Sequence, residues 1–171
     1  MNHNVLSVCL VLSLMTSANG QSNADQDAIN ALIDKYGQTE DAGTLLKQAE
    51  MMSADRVWIG ANGAGRITNQ AMNMKMQQTQ VDAATKMIQG VEWFTDARDR
   101  LIKLYGDGSF AVASFYWHRT FVLPPRLNAE QRKAMGKQPD PVAISHVLEK
   151  KGGDWRIVHT HVSSLVKKED N

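Results

Sequence analysis

Four of the five histidines in this chain lie in its C-terminal third, on segments that predict neighbouring strands. His118 lies on one strand, and His146, His159 and His161 lie on the hairpin that closes the sequence. Histidine changes its charge near neutral pH, so it suits a general base, and Tyr116 offers a hydroxyl that donates a hydrogen bond. The alternative is that these groups are satisfied core or interface side chains. The choice depends on which of them share a cavity.

Two spacings raise the question of a metal. His159 and His161 stand two residues apart on a strand, but the sequence offers no clear third ligand for zinc. Met72, Met74 and Met76 suggest copper, yet residues two apart on a helix point in different directions. Methionine that packs adaptably around a pocket is the favoured interpretation, and no metal site is predicted.

Asp96 is the best carboxylate candidate for an acid–base role, because Trp93, Phe94 and Arg98 flank it. A paired surface carboxylate is the alternative. The segment Asn62–Gly65 matches neither the dinucleotide nor the nucleoside-triphosphate fingerprint, so it predicts a plain turn. The sequence therefore indicates no cofactor.

The composition limits the partners of the chain. Its 171 residues are enough for one domain, and 19 basic residues nearly balance 18 acidic ones to give a formal net charge of +1. No block of like charge predicts a nucleic-acid groove or a patch for anionic membranes. The expected partners are a small-molecule ligand and a second copy of the chain, and no nucleic acid.

The N-terminal segment predicts export. Val5 to Met15 is an apolar run too short to span a bilayer, and Ala18-Asn19-Gly20 places small residues where a signal peptidase cleaves. We therefore expect a signal peptide at residues 1–20 and one domain at 21–171, periplasmic or secreted and free of the membrane after cleavage. An uncleaved anchor is the alternative, because no Lys or Arg precedes the apolar run. The single cysteine, Cys9, lies inside it, so the mature chain has no disulfide.

Hydrophobic periodicity predicts helices first and strands afterwards. The expected helices are Asp25–Tyr36 with a stop at Gly37, Asp41–Met52, a helix from a Thr68 cap to Gln89, and a short helix between an Asn128 cap and Gly136. The expected strands are Asp55–Ala61, Val91–Arg98, Asp99–Tyr105, Ser109–Val122, Val142–Lys150 and Trp155–Leu165. This order predicts an α+β domain: a curved, mostly antiparallel sheet wrapped on N-terminal helices and enclosing a pocket.

Two motifs in this order carry a family resemblance. The closing Gly153–Ser163 (GDWRIVHTHVS) and the earlier Asp55–Ile59 (DRVWI) resemble the SnoaL-like members of the nuclear transport factor 2-like superfamily, over Asp25 to Leu165. The closing motif is also similar to the association domain of calmodulin-dependent kinases. The resemblance implies a conical α+β barrel with an internal pocket, usually a dimer packed sheet to sheet. It implies no single reaction, because the superfamily includes isomerases, dehydratases, hydrolases, cyclases and domains that only bind or assemble.

The insert at residues 124–141 departs from the tight turn usual in that superfamily. An insert of this length between strands predicts a lid or a partner-contact arm. The isomerase Tyr and Asp pair and the hydrolase Asp-Arg-Asp set have no alignable counterpart in this sequence.

Strand alternation divides the candidate pocket residues between two faces. Val112, Ser114, Tyr116 and His118 share one face, whereas Ala113, Phe115, Trp117 and Arg119 share the other. The resemblance to the kinase association domain implies that the Tyr116 and His146 positions, and the face of Val158, point to the pocket. The resulting pocket set is Trp58, Tyr116, His118 and His146, with His161 in reserve because a strand bulge would reverse its side. His159 and His161 are otherwise expected on the outer, dimer-forming face.

Three functions remain open at this point. The first is an exported domain that binds a small, largely apolar molecule in an internal cavity. The second is a cofactor-free isomerase, dehydratase or hydrolase with a pocket His or Asp as general base, for which His118, His146 and Asp96 are the candidates. The third is a dimeric assembly module without a ligand.

Overall fold

The computed structural model describes residues 4–61 and 65–165, with side chains from residue 22 onward. The centre of the predicted Asn62–Gly65 turn and the side chains of the predicted signal peptide lie outside the described residues. In the part of the chain that is described, no helix is long and apolar enough to cross a membrane.

Within the described residues the chain forms a six-stranded sheet, with a long helix before the first strand and shorter helices between later strands. The helices are α1 (Asn4–Asp41), a 3₁₀ helix (Leu45–Met51), α2 (Gln70–Met87) and α3 (Ala129–Met135), and a short 3₁₀ turn spans Gly106–Gly108. The strands are β1 (Met52–Ile59), β2 (Arg66–Ile67), β3 (Glu92–Tyr105), β4 (Phe110–Val122), β5 (Val142–Lys151) and β6 (Asp154–Ser164).

The strands form one mixed sheet in the order β2-β1-β6-β5-β4-β3. Only β1 and β6 run parallel, and the remaining neighbours are antiparallel. The sheet is open, because β2 and β3 remain its two edges. The predicted α+β class with a curved, mostly antiparallel sheet is confirmed.

Helix α1 lies across one face of this sheet and forms the core with it. Ile29, Ile33 and Tyr36 recur at helical spacing, and all three are buried against the sheet. Gly37 lets the helix approach closely, because a Cβ at this position would stand 2.9 Å from Thr95 Oγ1 and 3.3 Å from the Trp117 ring. The face of the sheet under α1 is called the inner face below, and the opposite face is called the outer face.

The structure corrects the predicted helix limits. Gly37 does not stop the first helix, which continues to Asp41, because its missing side chain serves packing rather than capping. The predicted second helix is the 3₁₀ helix Leu45–Met51, and β1 already begins at Met52. Helix α2 is capped by Asn69, whose side chain accepts from the Met72 N–H at 2.8 Å, rather than by Thr68.

The two strands predicted at Val91–Arg98 and Asp99–Tyr105 are one strand, β3. A bulge separates them, because Asp99 adopts a φ of 52° and the pairing with β4 shifts between Arg98 and Leu101. The short helix in the insert is confirmed: Asn128 caps α3 in a reciprocal box with Gln131, and Gly136 ends it. The predicted closing hairpin is also confirmed as β5 and β6.

Candidate functional site

The inner face of β4 carries the alternate set from the one predicted. Ala113, Phe115 and Trp117 are buried beneath α1, whereas Tyr116 is 42 % exposed on the outer face. His118 has the same parity as Tyr116, so it also lies on the outer face. The prediction that these two side chains point to the interior is therefore wrong, because the larger apolar surface of the alternate set took the buried side.

The other predicted residues divide between the two faces. His146 is fully buried on the inner face, as predicted. Trp58 lies in register with buried Thr160 and therefore also lies on the inner face. Asp96 pairs in register with His118 on the outer face and forms an exposed ion pair with Arg98 at 2.6 Å. The predicted set is thus not brought together, and its binding and catalytic roles stay predictions.

A bulge in β6 explains where the last two histidines lie. Leu148 pairs with Ile157 but Val147 pairs with His159, so Val158 is the extra residue. Trp155 and Ile157, before the bulge, face inward and are buried. After it, Thr160 faces inward and His159 and His161 face outward, which is the side expected for both, so the reserve assignment of His161 to the pocket is wrong.

The outer face is not covered by any described helix, and its apolar side chains are exposed. Burial, followed by the positive charge of His161, lowers the pKa of His159.

Among the described residues, no group of three or more His, Cys, Asp or Glu side chains is arranged to hold a metal ion. A second copy of the chain covering this face stays a prediction.

Beneath α1, four buried polar side chains form one hydrogen-bonded group, the Arg56 cluster: Arg56, Asn73, His146 and Thr160. Arg56 Nε donates to Thr160 Oγ1 at 3.2 Å, and Arg56 Nη1 donates to Asn73 Oδ1 at 3.2 Å. His146 Nδ1 lies 2.9 Å from Thr160 Oγ1. Each of the four is at most 1 % exposed, so strands β1, β5 and β6 and helix α2 jointly position a polar centre inside the core.

Three atoms of the Arg56 cluster make no hydrogen bond of normal length within the described residues: Arg56 Nη2, Asn73 Nδ2 and His146 Nε2, although Arg56 also interacts with the Tyr36 hydroxyl. Buried polar groups are nearly always paired, and an unpaired one costs about 1–3 kcal/mol. Three in one cluster are therefore unusual for a packed core. They indicate a place where another molecule completes the hydrogen bonds.

Burial controls the charge of the titratable groups around the cluster. Burial, and then the positive charge of Arg56, lowers the pKa of His146 to about 3, so its ring is neutral near pH 7. Burial raises the pKa of Tyr36 to about 12, against the lowering effect of Arg56. The rings of Tyr36 and Phe115 enclose His146, with centroid distances of 5.5 and 5.3 Å.

An ion pair between Glu40 and Arg119 lies one helical turn along α1 from Tyr36. Glu40 Oε2 stands 3.7 Å from Arg119 Nε, and the Arg119 guanidinium lies over the Trp93 ring at 4.8 Å. Burial raises the pKa of Glu40, and Arg119 opposes that rise. A half-buried carboxylate that the sequence did not single out thus lies near the end of α1.

The sequence reasoning missed Arg56, Asn73 and Glu40. Arg56 had a usable signal, because it stands two residues before Trp58 on β1, and alternation gives both the same side. Asn73 had none, since it lies within a methionine-rich helix whose buried residues are only Asn73 and Met74. Met72 and Met76, expected to pack around the pocket, are instead 58 % and 39 % exposed.

Two clefts open beside α1. One of about 250 Å³ lies between α1 and β3, where Gly37, Thr95 and Trp117 line it. The other, of about 340 Å³, lies between α1 and β6 beside Leu32 and Trp155. Trp117 lies between the first cleft and Tyr36, against which its ring packs edge-on at a centroid distance of 5.8 Å, and neither cleft is lined by a residue of the Arg56 cluster.

The insert is anchored at the end of β4. The side-chain amide of Gln138 accepts from the Phe121 N–H at 2.9 Å and donates to the Phe121 carbonyl at 3.0 Å, as a pairing strand would. Helix α3 has no buried residue and projects from this anchor. Its role as a lid or contact arm stays a prediction.

Solved structures share this architecture at low sequence identity. A protein from Novosphingobium aromaticivorans, described as NTF2-like with a cystatin-like fold, matches with a TM-score of 0.63 and 15% identity, covering 99% of this chain and 95% of that one. The chain has the nuclear transport factor 2-like fold. ActVI-ORFA from Streptomyces coelicolor matches with a TM-score of 0.61 and 11% identity over 82% of this chain and 97% of that one.

A third match is a protein from Xanthomonas campestris assigned as a calcium/calmodulin-dependent protein kinase II association domain. It aligns with a TM-score of 0.57 and 18% identity over 82% of this chain and 87% of that one. No protein-family model matches the chain, and no curated protein matches it.

Proposed function

We propose that this protein is an exported nuclear transport factor 2-like domain that binds a small, largely apolar molecule in the interior between α1 and the inner face of the sheet. The observation that carries this proposal is the Arg56 cluster, in which three buried polar atoms make no hydrogen bond of normal length within the described residues. A domain whose interior served only packing would gain stability from apolar residues at these positions.

The surroundings of the cluster suit such a ligand. Phe115, Trp117 and Ile144 on the inner face and Tyr36 on α1 supply apolar and aromatic walls. A few placed polar groups within apolar walls are the usual composition of a small-molecule site. Trp58 extends this wall along β1 in register with Thr160.

The test is to identify what the protein carries when it is purified from its native host without denaturation. Native mass spectrometry is expected to show the chain with an added small-molecule mass that disappears after denaturation. The same spectrum reports whether the mature chain begins at Gln21, which is the expected result for export with cleavage.

A matched pair of variants locates the ligand. Thr160→Val removes the hydroxyl that joins Arg56 to His146 and is expected to abolish the added mass, whereas Ser163→Ala on the outer face of the same strand leaves it. A fully folded wild-type chain that carries nothing, and whose melting temperature no small molecule in a metabolite library raises, contradicts the proposal.

The proton-transfer alternative is favoured by one specific observation. Glu40, half-buried near the end of α1, and His146, buried beneath that helix, have pKa values that shift in opposite directions, Glu40 upward and His146 downward. Two titratable groups tuned apart within one interior are a common feature of acid–base sites. Turnover of a co-purified ligand that is lost in Glu40→Gln and retained in Asp96→Asn would establish this alternative.

A further inference from the structure

The hydrogen bonds of the Arg56 cluster determine which of its atoms carry protons. Arg56 Nε–H donates to Thr160 Oγ1, so the hydroxyl hydrogen of Thr160 is free to point elsewhere. Its neighbour is His146 Nδ1 at 2.9 Å. The buried hydroxyl hydrogen needs an acceptor, and of the two partners of Thr160 Oγ1 only the ring nitrogen can accept, so we assign Thr160 as the donor to Nδ1. A neutral ring that accepts at Nδ1 carries its hydrogen on Nε2.

The amide of Asn73 is oriented by the same logic. Its Oδ1 accepts from Arg56 Nη1 at 3.2 Å and from Gln77 Nε2 at 3.0 Å. Both partners are donors, so the oxygen and nitrogen of this amide cannot be exchanged. Asn73 Nδ2 is therefore a donor. Together with Arg56 Nη2 and His146 Nε2, it makes all three unused atoms of the cluster hydrogen-bond donors.

The cluster also carries an uncompensated positive charge. Within residues 22–61 and 65–165, no carboxylate forms an ion pair with Arg56. Glu40, the acidic residue that also influences Tyr36, pairs with Arg119 instead. The nearby Tyr36 and His146 are neutral near pH 7. The groups that face Arg56 therefore leave it with a net charge of one.

We propose that the ligand is a carboxylic acid whose carboxylate pairs with Arg56 and accepts from Asn73 Nδ2 and His146 Nε2. This rests on the proposed function, because it names the chemical class of the molecule held in the interior. A carboxylate is acceptor-only, with about four lone-pair sites on two oxygens, so it can accept all three donors. Its planar shape and single charge match one guanidinium. A phosphate dianion would leave a net negative charge buried in the core.

The experiment uses the mature chain and matched probes in a buffer without chloride. The probes are acetate, phenylacetate, phenylacetamide and inorganic phosphate, and their binding is measured by isothermal titration calorimetry. Phenylacetate and its amide have the same apolar body and differ in charge. We expect phenylacetate to bind about tenfold or more tightly than the amide, as a charge-assisted pair with a buried guanidinium predicts.

Two variants and one spectrum keep the test specific. Arg56→Gln is expected to reduce phenylacetate affinity about tenfold or more and to leave the amide unchanged. Arg98→Gln removes an arginine from the exposed outer-face pair and is expected to change neither. Should Arg56→Gln fail to fold, ¹⁵N NMR of the wild type reports the ring directly. The expected spectrum shows His146 protonated at Nε2 and its Nε2–H signal shifted by phenylacetate.

Each remaining outcome overturns the inference. Equal binding of phenylacetate and phenylacetamide removes the carboxylate and leaves the proposed small-molecule function standing. Tighter binding of phosphate assigns the cluster to a dianion. A His146 ring protonated at Nδ1 removes one of the three donors. Absence of binding by every probe, with a neutral molecule found by native mass spectrometry, shows that the cluster is completed by buried water while the interior still binds a ligand.

Discussion

The inner and outer faces of the sheet are built from alternate residues of the same strands, yet they use similar side chains in different ways. On the inner face, arginine, histidine and threonine lie in one buried cluster with unused donors. On the outer face, Asp96 and Arg98 satisfy each other in solvent, and His161 is exposed. The difference shows that burial, rather than residue type, decides which polar residues are candidates for function.

The largest expected effect is a loss of stability that one of two adjacent aromatic residues shows and the other does not. Trp117→Ala should lower the free energy of unfolding by about 3–5 kcal/mol, because Trp117 packs against Tyr36 and Phe115 inside the core. Tyr116→Ala should change the free energy of unfolding of the monomer by less than about 0.5 kcal/mol, because Tyr116 is exposed in the single chain. Urea denaturation followed by circular dichroism measures both. Equal destabilisation would refute the assignment of the two faces.

The two faces also differ in what an ion pair contributes. On the inner side, buried Asp25 accepts from Lys150 Nζ at 2.5 Å and from Trp155 Nε1 at 3.2 Å. We expect Asp25→Ala to cost about 2 kcal/mol in urea denaturation, because both donors lose their acceptor. Asp96→Ala breaks the exposed pair with Arg98 and should cost less than about 0.5 kcal/mol. A cost for Asp96→Ala as large as that for Asp25→Ala would contradict the comparison.

The third prediction concerns pH. His146 has a folded-state pKa lowered to about 3 from 6.5, so below pH 6.5 the unfolded chain binds a proton that the folded chain does not. Its contribution to stability is therefore fully present above pH 6.5 and is lost as pH falls toward about 3. The expected slope is about 1.4 kcal/mol per pH unit.

Glu40 acts in the opposite direction, because its folded pKa is raised and the folded chain keeps its proton to higher pH than the unfolded chain. The His146 contribution is isolated by measuring the free energy of unfolding of wild type and His146→Gln at several pH values between about 4 and about 6. The slopes of that free energy against pH are then compared. The variant should lose the slope of one proton, and His118→Gln on the outer face should retain it. Identical slopes in wild type and His146→Gln would show that this ring is not held neutral.

The last prediction tests whether a second copy of the chain binds the outer face, and its expected effect on the stability of the monomer is the smallest. Phe94, Leu101 and Tyr116 expose apolar surface on the outer face, so we expect two chains to associate there. Tyr116→Arg should convert the dimer to a monomer in analytical ultracentrifugation and leave the free energy of monomer unfolding within about 0.5 kcal/mol. A wild-type monomer, or a dimer unaffected by this change, would show that the outer face is not the interface.

The sequence predicted the parts of the fold that depend on local signals. The closing hairpin has a Gly-Gly turn in which Gly152 and Gly153 both adopt positive φ, and the insert helix has its N-cap, Asn128, and its C-cap, Gly136, within one short segment. The bulges at Asp99 and Val158 were not predicted, because a bulge depends on how two strands pair. Nothing in either strand alone marks its extra residue.

The candidate site was less predictable than the fold. Alternation divided β4 into its two faces correctly, but the face assigned to the pocket was taken from a resemblance and was the wrong one. The composition of the alternate set, Ala113, Phe115 and Trp117, already favoured burial. Arg56 was overlooked because a charged residue is expected outside a core. Alternation with Trp58 gives it the inner side, and the tertiary contacts with Thr160 and Asn73 show that it is enclosed.

The extra residue at Val158 has a consequence for how such a domain can change. It reverses the sides of all later residues in β6, so a strand in which Val158 paired regularly with Val147, with the pairing before it retained, would have His159 and His161 beneath α1 and Thr160 exposed. Loss of the bulge would then exchange a cationic, donor-lined interior for one with two additional imidazoles. Relatives that share this scaffold can therefore diverge in chemistry through a shift of register, without substitution of any residue in the strand.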